Sequence, residues 1–138
     1  MATLKEAIYK LLQDDAKLHN GTELGSLLGK YATAPYGIYF TTPPVEPAPP
    51  VVTYFINAQA IRSQELSLRD IFINITAWGA NFEAVITRIY DLLNGARLTT
   101  TDFLTLMLYW DGAGPELFDE DLHCYYRQDR FFAKAIKV

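Results

Sequence analysis

The stretch "DIFINITAW", residues 70–78, constrains this chain more than any other. Ile71, Ile73, Ile75 and Ala77 recur at every second position. Successive side chains on a β-strand point to opposite faces, so these four share one dry face. Such a face has to be covered, which requires a sheet with a second layer packed on it. The alternate row, Phe72, Asn74, Thr76 and Trp78, is half polar. It suits an antiparallel sheet whose other face is wet or meets a partner.

Two segments have the period of helices that cover such a sheet. "TLKEAIYKLLQDDAKLH" opens with Thr3 and Glu6 at the spacing of a capping box. Leu4, Ile8, Leu11 and Leu12 then form one apolar stripe, and the glycines after His19 predict an end near Leu18. "ANFEAVITRIYDLLNG" starts at Asn81 as N-cap and ends at Gly95 as a left-handed stop. Phe82, Val85, Ile86, Ile89, Tyr90 and Leu93 are its predicted core face.

Further strands are expected at "YGIYF" (36–40) and "VVTYFINAQA" (51–60). In the latter, Val51, Thr53 and Phe55 alternate with Val52, Tyr54 and Ile56. "FLTLMLYW" reads as one strand with Leu104, Leu106, Leu108 and Trp110 on its dry side. "DGAGPELFDED" (111–121) reads as a turn-rich acidic loop. "LHCYYRQDRFFAKAIKV" reads as extended chain, with a break expected near Gln128 and Asp129. Between two of these strands lies a stiff insertion: five of the eight residues from Pro43 to Pro50 are proline, which excludes helix and central strand. The expected fold is α+β, a mainly antiparallel sheet with two helices on one face. It forms a single domain over 1–138 with a proline-rich arm at 43–50.

Charge and composition narrow the function. A net charge of −4 and an isoelectric point near 5.1 argue against nucleic-acid binding, which needs a cationic footprint. Cys124 is the single cysteine and forms no internal disulfide, which fits a reducing compartment. No apolar run reaches the roughly 18 residues of a membrane span. The expected product is soluble and intracellular, with no membrane partner.

No group of residues has the pattern of a catalytic site. The two histidines are His19 and His123. His123 and Cys124 are neighbours on a strand and therefore point apart, reading as an exposed histidine beside a buried cysteine. Asp111, Glu116, Asp119, Glu120 and Asp121 lack the ligand spacing of a calcium loop and read as solvated acids. A second reading has them meet basic residues of another subunit or share a divalent ion at an interface. The "GxG" of "DGAG" runs into proline and opens no helix, so it is no phosphate-binding turn. Trp78 and Trp110 read as core or interface anchors, Arg127 and Arg130 as solvent or ion-pair residues. The expectation is a protein that is not an enzyme and carries no cofactor or structural metal.

Taken in order, "LKEAIYKLLQDD", the proline-rich turn into "PPVVTYFINAQ", "LRDIFINITAWGAN", "AVITRIYDLLNG", the leucine-rich strand and "YYRQDRF" resemble the tail terminator or tail completion proteins of long-tailed bacteriophages. The likeness spans nearly the whole chain, and departs from the family in the lengths of the proline arm and of the 111–121 loop. It implies a virion protein of the tail or neck, assembled in the host cytoplasm. Such a protein forms a ring, commonly a hexamer, on the end of the tail tube. There it stops tube polymerisation and faces the head connector. The implied partners are further copies of itself, the tube protein and the connector or neck proteins.

Under this resemblance Pro43, Pro44, Pro47, Pro49 and Pro50 form a pre-stiffened arm for a neighbouring subunit or the tube; alternatively the arm only spans two strands of one sheet. Phe72 and Trp78, with Asn74 and Thr76 between them, are the nominated sheet face for a partner. Asp119, Glu120 and Asp121 are the nominated acidic contact. Two other functions compete: a head-closure protein on the connector side, and a small α+β enzyme or ligand-binding domain. The last requires polar groups among the dry strand positions, and Ile71, Ile73, Ile75, Leu104, Leu106 and Leu108 include none.

Overall fold

The computed structural model describes residues 3–15, 18, 27–28, 37–40, 51–60, 68–104, 106–121 and 123–137. Helix α1 (Leu4–Gln13) and helix α2 (Phe82–Leu93) are joined by strands β1 (Ile38–Phe40), β2 (Val51–Ala60) and β3 (Leu68–Trp78). The rest of the chain is β4 (Arg97–Leu98), β5 (Phe103–Leu104), β6 (Leu106–Met107), β7 (Tyr109–Asp119) and β8 (Cys124–Lys137). The main sheet runs β1-β2-β3-β8, with β5 and β7 each paired to the far side of β8. All its pairs are antiparallel except β1 with β2. The fold is α+β, as the alternation and the two helical stripes require.

The dry row of β3 lies where its period puts it: Ile71, Ile73, Ile75 and Ala77 are fully buried. They join Leu4, Ile8 and Leu12 of α1 and Phe82, Val85, Ile86, Ile89 and Leu93 of α2 in one core. Phe131, Ala133 and Ala135 of β8 complete it. Removing such side chains from water is the main stabilising term. The Thr3–Glu6 capping box is formed at the start of α1, and Gly95 closes α2 with φ of 81°.

Several elements differ from the sequence reading. Helix α1 ends at Gln13, not near Leu18. Two consecutive aspartates follow, and negative charge at a helix C-terminus opposes the helix dipole. Asp15 instead accepts the Leu18 amide (2.8 Å) and a two-pronged pair from Arg88 of α2 (2.9 and 2.6 Å). Asn81 precedes α2 but makes no side-chain cap; its amide donates to the Leu27 carbonyl. Tyr90 is exposed and meets Trp110 edge-on, instead of entering the core.

The segment 103–110 is not one strand. β5 pairs with β8, β6 pairs with β4, and β7 returns to β8. Leu108 is buried, Trp110 is half exposed, and the side chains of Leu104 and Leu106 lie outside the described residues. The largest correction is 111–121, which is no loop. It forms most of β7, paired with β8 from Tyr109↔Phe132 to Asp119↔Cys124, with two register shifts. Bulges at 110–112 and 113–116 absorb Gly112, Gly114 and Pro115, which disfavour a regular strand. Strand β8 likewise has no break at Gln128 and Asp129. Asp129 is buried there because Arg127 (2.8 and 3.1 Å) and the Trp110 indole N–H (3.0 Å) satisfy its carboxylate.

Candidate interaction surface

The outer face of the sheet, opposite the helices, is built from the half-polar row of β3 and its neighbours. Phe72 packs on Phe132 of β8, with ring centroids 5.2 Å apart. The Arg130 guanidinium sits 4.8 Å over the Phe72 ring and pairs with Asp111 at 2.6 Å. Beside them the Gln128 amide donates to the Asn74 side-chain oxygen (2.9 Å), next to a shallow hollow of about 440 Å³ floored by residues 112–115. Phe72 and Asn74 are thus half-buried and reachable from outside.

Trp78 is placed differently. Only 8% exposed, it stacks on Tyr126 at 4.3 Å and donates its indole N–H to the Thr53 hydroxyl (3.1 Å). Thr76 is equally buried. The structure therefore brings Phe72 and Asn74 to the surface and closes the Trp78 end of the same row within the chain.

Asp119, Glu120 and Asp121 occupy the tip of the β7–β8 hairpin. The pairing Asp119↔Cys124 continues beyond Trp78↔Tyr126, where β3 ends. On the far side of β8 from β3, the tip has no further strand beside it among the described residues. Its apolar side chains are correspondingly bare: Leu117 is 45% exposed, Phe118 49% and Tyr125 55%. Phe118 and Tyr125 touch edge to face at 5.0 Å. Glu120 and Asp121 are exposed at the turn, and Asp119 is half-buried. His123 is exposed with φ of 50°, in the left-handed region. Cys124 is half-buried, and burial together with Asp119 pushes its thiol pKa up.

A second apolar feature lies at the opposite edge of the sheet. A groove of about 550 Å³ runs between α1 and β1, lined chiefly by Tyr9, Ile38, Tyr39, Phe40 and Tyr54. Lys5 stands at its lip, its ammonium 4.4 Å from the Phe40 ring centre. Tyr54 donates its hydroxyl to the Lys5 carbonyl (3.2 Å), and burial raises its pKa to about 12.

Pro43, Pro44, Pro47, Pro49, Pro50 and His19 lie outside the described residues. Among the described residues no group of three or more His, Cys, Asp or Glu is placed to hold a metal ion. No described helix is long and apolar enough to cross a membrane. Sequence reasoning missed the hairpin and the groove. The signal for the hairpin was present in the unbroken length of "CYYRQDRFFAKAIK", which needs a partner strand along all of it.

No protein-family model matches the chain, and no curated protein matches it. Among solved structures the chain is similar to one from the virion of the native gene transfer agent particle, with a TM-score of 0.60 and 21% identity. The match covers 99% of this chain and 96% of that one. At this level of identity the likeness is one of fold, and it extends from end to end.

Proposed function

We propose that the chain is a non-enzymatic structural protein of a phage-like virion. In this reading it is a tail terminator or tail completion protein: a ring of copies caps the tube, stops its growth and offers a surface to the head connector. The observation that carries this reading is the shared fold over nearly the full length of a chain from a virion-like particle. The surface supports it. The bare aromatic side chains of the hairpin and the reachable outer-face row around Phe72 are features of a docking protein.

The parallel pairing of β1 with β2 bears on the proline-rich arm. Ile38 lies beside Val52, so the connection from Phe40 to Val51 returns along only about three residues of strand, roughly 10 Å. Ten residues at polyproline spacing reach roughly 31 Å. The connection therefore has length to spare for a contact beyond its own sheet, and stiffness lowers the entropy lost on docking. Deleting Val45–Ala48 is expected to leave the fold intact and to weaken ring formation; unchanged assembly assigns the arm to spanning alone.

The deciding experiment mixes purified chain with polymerising tail-tube protein and measures tube lengths by negative-stain microscopy. Tubes of reduced, uniform length ending in a ring are the expected result. Uncapped tubes, with capture instead by the head connector, overturn the assignment to the tube end.

A further inference from the structure

The hairpin tip and the α1–β1 groove are at opposite edges of one sheet, in the order β1-β2-β3-β8-β7. Both are also toward the same end of it. Val51 pairs with Trp78, Ile38 sits beside Val52, and the tip projects just past Trp78↔Tyr126. One is a protrusion with two half-exposed aromatic rings, the other a concave apolar surface large enough to receive aromatic side chains. We infer that the tip of one copy, through Phe118 and Tyr125, docks into the α1–β1 groove of the next copy. This rests on the ring-forming reading above and specifies which surfaces meet.

Charge agrees with the match. The tip carries Asp119, Glu120 and Asp121 within three consecutive positions. At the groove lip Lys5 has no carboxylate partner among the described residues. Glu6, which also lines the groove, is engaged in the capping box with Thr3. Among the described residues Lys10 pairs with Asp14 four residues on, an exposed pair of little strength. A carboxylate arriving from the tip meets a cation on an apolar wall, where desolvation strengthens the attraction.

The alternative way of joining sheet edges, strand added to strand, is blocked on the β7 side. Two bulges and Pro115 interrupt the row of backbone donors and acceptors that an incoming strand needs. The contact is accordingly one of side chains. It joins two different patches, so it propagates head to tail and closes into a ring when the rotation between copies allows.

The test uses full-length chain and light scattering across a concentration series, with far-UV circular dichroism to confirm folding. The parent chain is expected to associate as concentration rises. Phe118→Ser, which removes the tip anchor, weakens association at least tenfold, and Lys5→Glu weakens it several-fold. Tyr39→Asp, which spoils the groove, weakens it at least as much. Phe118→Ser mixed with Tyr39→Asp gives dimers and nothing larger, because only one tip and one groove remain competent in each pair. A parent chain that stays monomeric throughout, or association that survives both Phe118→Ser and Lys5→Glu, overturns the inference. Two further outcomes separate it from the functional reading. Tube capping that persists in Phe118→Ser defeats the inference alone. Tip-to-groove association by a chain that leaves tubes uncapped supports it and defeats the functional reading.

Discussion

Asp129 shows how one residue is decided by its partners. In isolation it reads as a strand breaker, yet it lies 2% exposed in mid-strand because three N–H groups converge on its carboxylate. Replacing it leaves the Arg127 guanidinium and the Trp110 indole unpaired. Asp129→Ala is expected to lose about 2 kcal/mol in urea unfolding at neutral pH, with Asp129→Asn recovering part of the loss. Tyr54 supplies a pH signature. Its pKa is raised from 10.0 to about 12, first by burial and then by Tyr9. Its neutral form is therefore favoured by folding: the contribution is whole below about pH 10 and is lost as pH climbs to about 12. The loss amounts to about 2–3 kcal/mol by the upper end of that window. Tyr54→Phe costs about 1 kcal/mol at neutral pH through the hydrogen bond to the Lys5 carbonyl. It also flattens the alkaline fall, which unfolding curves at pH 9 and 11.5 measure.

At the scale of elements, β3 and both helices were legible because each has an apolar period that only one geometry satisfies. Strand β7 was not. Its glycines and proline signal a turn locally, and only pairing with β8 turns them into bulges. The segment 103–110 failed for a related reason: its alternation is regular, but its pieces bond to different strands, a matter of which partner is near. Gly114 marks how close the hairpin strands approach. A Cβ there would lie 2.7 Å from the Gln128 carbonyl oxygen, so backbone has to move. Gly114→Ala is expected to cost about 1–3 kcal/mol and to lower hydrogen-exchange protection along β7, while protection on β3 is retained.

At the scale of the molecule, the helices and sheet share one continuous core from Leu4 of α1 to Ala135 of β8. Unfolding is accordingly expected to be a single transition. Helical circular dichroism and the fluorescence of Trp78 and Trp110 should give the same midpoint in urea, and midpoints that separate would divide the chain into independent units. The surface follows from the same architecture. A strand as long as β8 overruns β3 at one end, and the overrun, paired among the described residues with β7, presents half-exposed aromatic side chains.

By itself the sequence determined what has to be buried: the rows on β3, α1 and α2 whose period admits one dry face each, and hence an α+β sandwich of sheet and helices. Tertiary structure alone decided which half-polar residues are presented, since burial of Trp78 depends on Tyr126 and Thr53 arriving from other strands. It alone placed the acidic segment on a projecting hairpin and an apolar groove at the opposite edge. The physical reason is that periodicity is a local property of the chain, whereas exposure depends on what long-range strand pairing brings alongside.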